Sequence, residues 1–270
     1  GGEYRIAEDA ANGQTFNCAI QLGGGVGDGT YTFRTDTADR LLTLGSVFSP
    51  TGPAPFGTKT VRLRGTGPIT VLGNILCEPC TLKLSVDCTN AVTLHGSNTL
   101  NLAFLDGTNG VLNLAAGSTT YFKNAWDQNI FASQDTTVNG PGEIVLGTNI
   151  GDDHGNNAVA SGHTLTINAK LTGDAGFQYY HASSDYAGTV VMNGMNDYSR
   201  STVLYAAGTL SCSFFGLSGA AGNLGTNARI VLDHVGSRLL YTGEGETTDR
   251  TLDIKRGGTL EHAGSGTLVF

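Results

Sequence analysis

Two adjacent carboxylates and a histidine, Asp152, Asp153 and His154, lie between Gly151 and Gly155 and carry the clearest chemical signal in this chain. Such a group suits acid and base roles in cleaving a glycosidic bond, where one carboxyl donates a proton while another assists attack. A β-helical polysaccharide hydrolase or lyase built on it also needs a Gly-His-Gly and an Arg-x-Lys element on neighbouring strands. Gly162-His163-Thr164 does not complete the first, and Asp253-Ile254-Lys255-Arg256 does not replace the second. Gly, Asn and Asp around the triplet also make an ordinary solvated turn. The expectation is therefore a chain that is not an enzyme, with Asp152, Asp153 and His154 as its catalytic candidates.

Five cysteines stand at Cys18, Cys77, Cys80, Cys88 and Cys212. Cys77, Cys80 and Cys88 with His95 can be drafted as a zinc site, but structural zinc favours two close ligand pairs, and Cys88 and His95 are spaced too widely for the second. In an exported protein the cluster Cys77, Cys80 and Cys88 suits one disulfide, with Cys212 buried and unpaired. No metal or other cofactor is expected. The run from Gly23 to Gly29 echoes a calcium-binding nonapeptide, but Asp28 comes one place early and the motif occurs once, so it reads as a hairpin turn. Tyr179, Tyr180, His181, Tyr186 and Tyr198 could form an aromatic platform for surface glycans, because ring faces match the apolar face of a sugar. Half-exposed tyrosines at strand corners are equally ordinary. No nucleophile elbow, phosphate loop or dinucleotide fingerprint is present.

The elements that would position these residues are short strands. A glycine followed by alternating Thr, Val and Leu returns at Gly110-Val-Leu-Asn-Leu114, Gly162-His-Thr-Leu-Thr-Ile167, Gly188-Thr-Val-Val-Met192, Gly208-Thr-Leu210, Gly258-Thr-Leu260 and Gly266-Thr-Leu-Val-Phe270. Strands this short cannot bury an apolar face alone and must stack on copies of themselves. Elsewhere period-2 alternation places Val61 and Leu63 on one face and Arg62 and Arg64 on the other. The phrase Asp-Arg-x-Leu-x-aliphatic occurs at Asp39-Arg40 and again at Asp249-Arg250, which favours a stacked array over a sandwich. Single helical turns fit only Ala7 to Ala11 and Ser218 to Leu224, and a protruding loop is expected between Asn149 and Gly155. The fold expected is all-β: a single-stranded right-handed parallel β-helix, or β-solenoid, running through residues 1–270 as one domain.

Composition bounds the partners. The chain of 270 residues has 40 Gly and 14% charged residues, yet 39% hydrophobic content, which argues against disorder. Fifteen Lys and Arg against 23 Asp and Glu leave a net charge of -8, with no basic stripe to neutralise phosphates. Nucleic acid is therefore not an expected partner. No stretch approaches the ~20 apolar residues of a membrane helix, so this segment is not expected to insert into a membrane. The pattern continues to Phe270 and suggests a segment of a larger exported protein.

Residues 188–225 carry a more specific phrase, with Gly188, Asn193, Gly194, Asn196, Tyr198 and Thr202 followed by Ala207, Gly208, Thr209, Leu210, Leu224 and Gly225. This resembles the autotransporter-associated β-strand repeat, also called the passenger-associated transport repeat. Departures are Ser199-Arg200-Ser201 where Thr-Gly-Gly is usual, and one extra residue. The stretch from Leu240 to Phe270 is similar to sequence found between such repeats, so the resemblance is strongest over residues 188–270. It implies a passenger of a bacterial surface protein, extracellular or on the cell surface, in which the repeat is scaffold and not enzyme. Expected roles are a rod, adhesin stalk or fibre-forming unit. Expected partners are neighbouring solenoid segments or copies of the chain end to end.

Overall fold

A computed structural model describes residues 2–6, 12–23, 27–48, 57–76, 80–123, 128–147, 154–181 and 183–270. Among these residues there is no helix. Each coil contributes one strand to a first sheet and one to a second, and most add a strand on a third side. The strands Thr81–Cys88, Ala91–Leu94 and Ser97–Leu100 form one such coil. The next strand, Leu102–Leu105, then lies directly over the first, with Leu102 beside Lys83 and Leu105 beside Val86. Among the described residues both main sheets have 11 strands, every neighbouring pair is parallel, and neither ladder breaks between Gly2 and His262. This is a β-solenoid, and 11 rungs at ~4.8 Å make it about 50 Å long.

The alternation explains the interior. Val61 and Leu63 are fully buried while Arg62 and Arg64 face out and pair with Asp87 of the following coil. Val61 stacks on Leu84, then Ala103, Ile130, Asn157, Tyr179, Leu204 and Leu232, one residue per coil. A second column runs through Leu165, Val190, Leu210 and Leu239. Each buried Val, Leu or Ile contributes about 1.5–3 kcal/mol. Along one corner Asn139 donates to Asn113, Asn168 to Asn139 and Asn193 to Asn168, at 3.1, 2.8 and 2.8 Å. This ladder ties four coils together through side chains.

Five of the six glycine-led phrases fall on the second sheet, and the sixth forms Leu268–Val269 on the third side. The two Asp-Arg phrases are not structural repeats. Arg40 precedes Leu42–Leu44 of the second sheet and is part exposed against Asp39. Arg250 precedes Thr251–Ile254 of the first sheet and is buried. Ser218 to Leu224 forms turns rather than a helix turn, and Ala7 to Ala11 lies outside the described residues.

The third side is regular over Ser97–Leu100, Thr119–Phe122, Glu143–Leu146 and Lys170–Thr172, which form a four-stranded sheet. Beyond it the sheet stops, and Asn196 meets Gly222 in an isolated antiparallel bridge. Residues 213–228 leave the ladder there.

Candidate functional site

Of the catalytic candidates, Asp152 and Asp153 lie outside the described residues. His154 opens the strand His154–Val159 and pairs in register with Gly176. The residues nearest in sequence pattern to the missing hydrolase elements are engaged elsewhere. His163 faces Asp135 at 3.6 Å. Asp253 pairs with Arg229, while Lys255 and Arg256 both reach Asp233.

Cys80 is in a disulfide, and Cys77 lies outside the described residues. Cys88 is a free thiol, so the disulfide allowed for it in the sequence is not made. It points into the core at the end of Thr81–Cys88, and burial pushes its thiol up to about 12. Cys212 is also free and buried, with its thiol raised by desolvation. Cys80 is thus withdrawn from any zinc site, and among the described residues no three His, Cys, Asp or Glu converge. Asp28, from the glycine-rich turn, accepts a hydrogen bond from Thr58 N at 2.6 Å and so starts the next coil's strand.

The tyrosine cluster divides in two. Tyr179 and Tyr198 are fully buried and do not form a platform. Tyr179 donates from its hydroxyl to Gly188 O at 3.1 Å, and burial raises its phenol to about 12. Tyr198 shares a 2.6 Å hydrogen bond with Thr202, whose hydroxyl donates to Leu224 O. Gly225, at φ +70°, packs against the Tyr198 ring, where a Cβ would meet ring carbons at 2.6 Å. Tyr198, Thr202, Leu224 and Gly225, all within the repeat-like phrase, hold coils together.

Tyr180, His181 and Tyr186 remain at the surface and line a groove of about 410 Å³. Tyr205, His234, Ser183, Ser184, Ala206 and Ala207 complete its lining. Tyr180 and Tyr205 follow Tyr179 and Leu204, which are register partners, so they stand on successive coils of the first sheet. Their rings meet edge to face at 6.3 Å, and 38% and 37% of each remains accessible to a ligand. On the other flank the His181 ring meets the Tyr186 ring at a tilt of 55°, with centroids 3.8 Å apart. Tyr186 rests on Phe131 at 4.6 Å, which packs against Phe104, Leu102 and Ala158 in a small apolar cluster separate from the main core. Because Leu105 faces inward, its neighbour Phe104 faces outward, so this cluster lies on the outer face of the first sheet.

Both imidazoles are oriented by backbone. His181 Nδ1 accepts from Ser183 N at 2.9 Å, and His234 Nδ1 accepts from Gly236 N at 3.0 Å. In the neutral ring this places the proton on Nε2. Burial lowers the His181 pKa below its ordinary 6.5, favouring that neutral form. Beside the groove Lys255 and Arg256 share the Asp233 carboxylate. Asp233 accepts from Arg256 Nε at 2.6 Å, which holds its carboxyl below the usual range, and the same guanidinium lies 5.4 Å over the Tyr205 ring.

Tyr205 and His234 were not recognisable as site residues in sequence. Their signal is the coil register: Tyr205 sits one coil from Tyr180, and His234 follows Asp233 one coil further. Comparison with family models, curated proteins and solved structures returns no match to this chain.

Proposed function

We propose that this chain is a non-catalytic structural rod, a segment of an exported surface protein similar to an autotransporter passenger. The observation that carries the reading is the pair of unbroken 11-stranded parallel ladders around one apolar core. Such an array resists extension and presents its outer face at a fixed spacing. Two further features support it. The Cys80 disulfide suits an oxidising, extracellular setting. Asn193, Asn196, Tyr198 and Thr202 of the repeat-like phrase all bond between coils. In the last coil Leu252, Leu260 and Leu268 are only partly covered and offer the same apolar column to a further coil, of this polypeptide or of a neighbouring copy.

Small-angle scattering paired with a reducing-sugar release assay on plant and bacterial polysaccharides tests the proposal. A rod profile without sugar release is expected. Release that disappears when Asp152 and Asp153 are both replaced by Asn overturns it in favour of a hydrolase.

A further inference from the structure

We infer that the groove between Tyr180, Tyr205, Tyr186 and His234 is a binding site for a neutral glycan. The inference is independent of the rod proposal, since it concerns what one face of the solenoid holds. Its volume of about 410 Å³ falls in the range of small-molecule sites, about 300–1,000 Å³.

The lining selects the ligand class. Tyr180 and Tyr205 bring two part-exposed rings from adjacent coils, and Tyr186 brings a third from the opposite flank. A pyranose presents an apolar C–H face that packs on such rings and a belt of hydroxyls that both donate and accept. The polar groups around the rings are of the matching kind. Ser184 offers a hydroxyl, and His181 and His234 have Nδ1 engaged by backbone, which leaves Nε2–H to donate.

Charge excludes the other classes. Among the described residues no lysine or arginine lines the groove to meet a phosphate or sulfate, and Lys255 and Arg256 beside it both reach Asp233. Asp185 is engaged by the Ser183 hydroxyl at 3.0 Å. Only Ala206 and Ala207 supply aliphatic lining, too little to hold an acyl chain. The site is also rigid before a ligand arrives. Tyr205 is held by Arg256 and Tyr186 by Phe131, so little side-chain order remains to be lost on binding.

The test is isothermal titration of the full chain with maltotetraose, cellotetraose, xylotetraose and chitotetraose. Saturable binding of at least one is expected, with affinity falling tenfold or more in the Tyr180→Ala, Tyr205→Ala double variant. Tyr121→Ala is the control, because Tyr121 is a similarly exposed tyrosine on the third side. It is expected to bind within twofold of the parent. Thermal melts of both variants establish that each is folded. Failure of all four sugars to saturate at about 10 mM overturns the inference, as does unchanged affinity in the folded double variant.

Discussion

The regular third side and the excursion at residues 213–228 satisfy the same backbone groups by opposite means. In the four strands of that side the backbone pairs N–H with C=O on the neighbouring coil, and side chains take only single groups, as Asn196 does from Leu171 N. In the excursion the partner strand is missing and side chains of the following coil take its place. Glu246 accepts from Phe215 N and Gly216 N at 2.7 and 2.9 Å, and Asp249 from Ser218 N at 2.6 Å. Arg250, 3% exposed, donates to the carbonyls of Gly216, Leu217, Ala220, Leu224, Gly225 and Asn227. Asn223 spans the gap from the other direction, accepting from Phe214 N and donating to Gly194 O. Irregular backbone is buried here only because a planar cation with five N–H donors can serve several carbonyls at once.

If that contrast is right, side-chain replacements should be costly in the clasped excursion and cheap along the regular side. Arg250→Met takes a donor from six carbonyls, of which Gly216, Leu217 and Leu224 keep another while Ala220, Gly225 and Asn227 are left bare, and is expected to destabilise the fold by more than about 3 kcal/mol in urea. Native alkylation should then reach Cys212, which ends the strand beside the excursion, before Cys88 in the regular part. A loss under about 1 kcal/mol, with both thiols still protected, would break the comparison.

Asn168→Ala interrupts the corner ladder while leaving every backbone bond, and about 1 kcal/mol is expected by the same measurement. Lys170→Met removes ion pairs to Glu143 and Asp197 that are about a third exposed, and should cost less than about 1 kcal/mol. The smallest effect concerns acid. Asp233 and Asp36 have carboxyls lowered from 3.8, chiefly by hydrogen bonds from Arg256 and Arg34. The unfolded chain therefore takes up these protons first as pH falls. Their contribution is present above about pH 3.8 and is lost as pH drops through the folded values. Urea midpoints between pH 5 and pH 3 should fall, and Asp233→Asn should flatten the slope.

Much of the architecture is legible in the residues. The glycine-led phrase marks the second sheet because its strands begin at corners and then alternate, which is the pattern period-2 reading detects best. The Asp-Arg phrase misleads for a physical reason. Two adjacent polar residues before a strand fit an exposed corner, as at Arg40, or a buried clasp, as at Arg250. Which one forms depends on the preceding coil, not on the phrase. Tyr179 and Tyr180 show the same limit within the groove. Alternation says that neighbours face opposite ways, but only register with Leu204 and Tyr205 says which is outside.

Each strand of the two main sheets bonds only to those one coil before and after it. Length is therefore a quantity that duplication or deletion of one unit can change by about 4.8 Å without redesigning any contact elsewhere. A pocket built from two or three consecutive units travels up or down the shaft intact when units are gained or lost beneath it. Reach and recognition can then evolve on separate schedules.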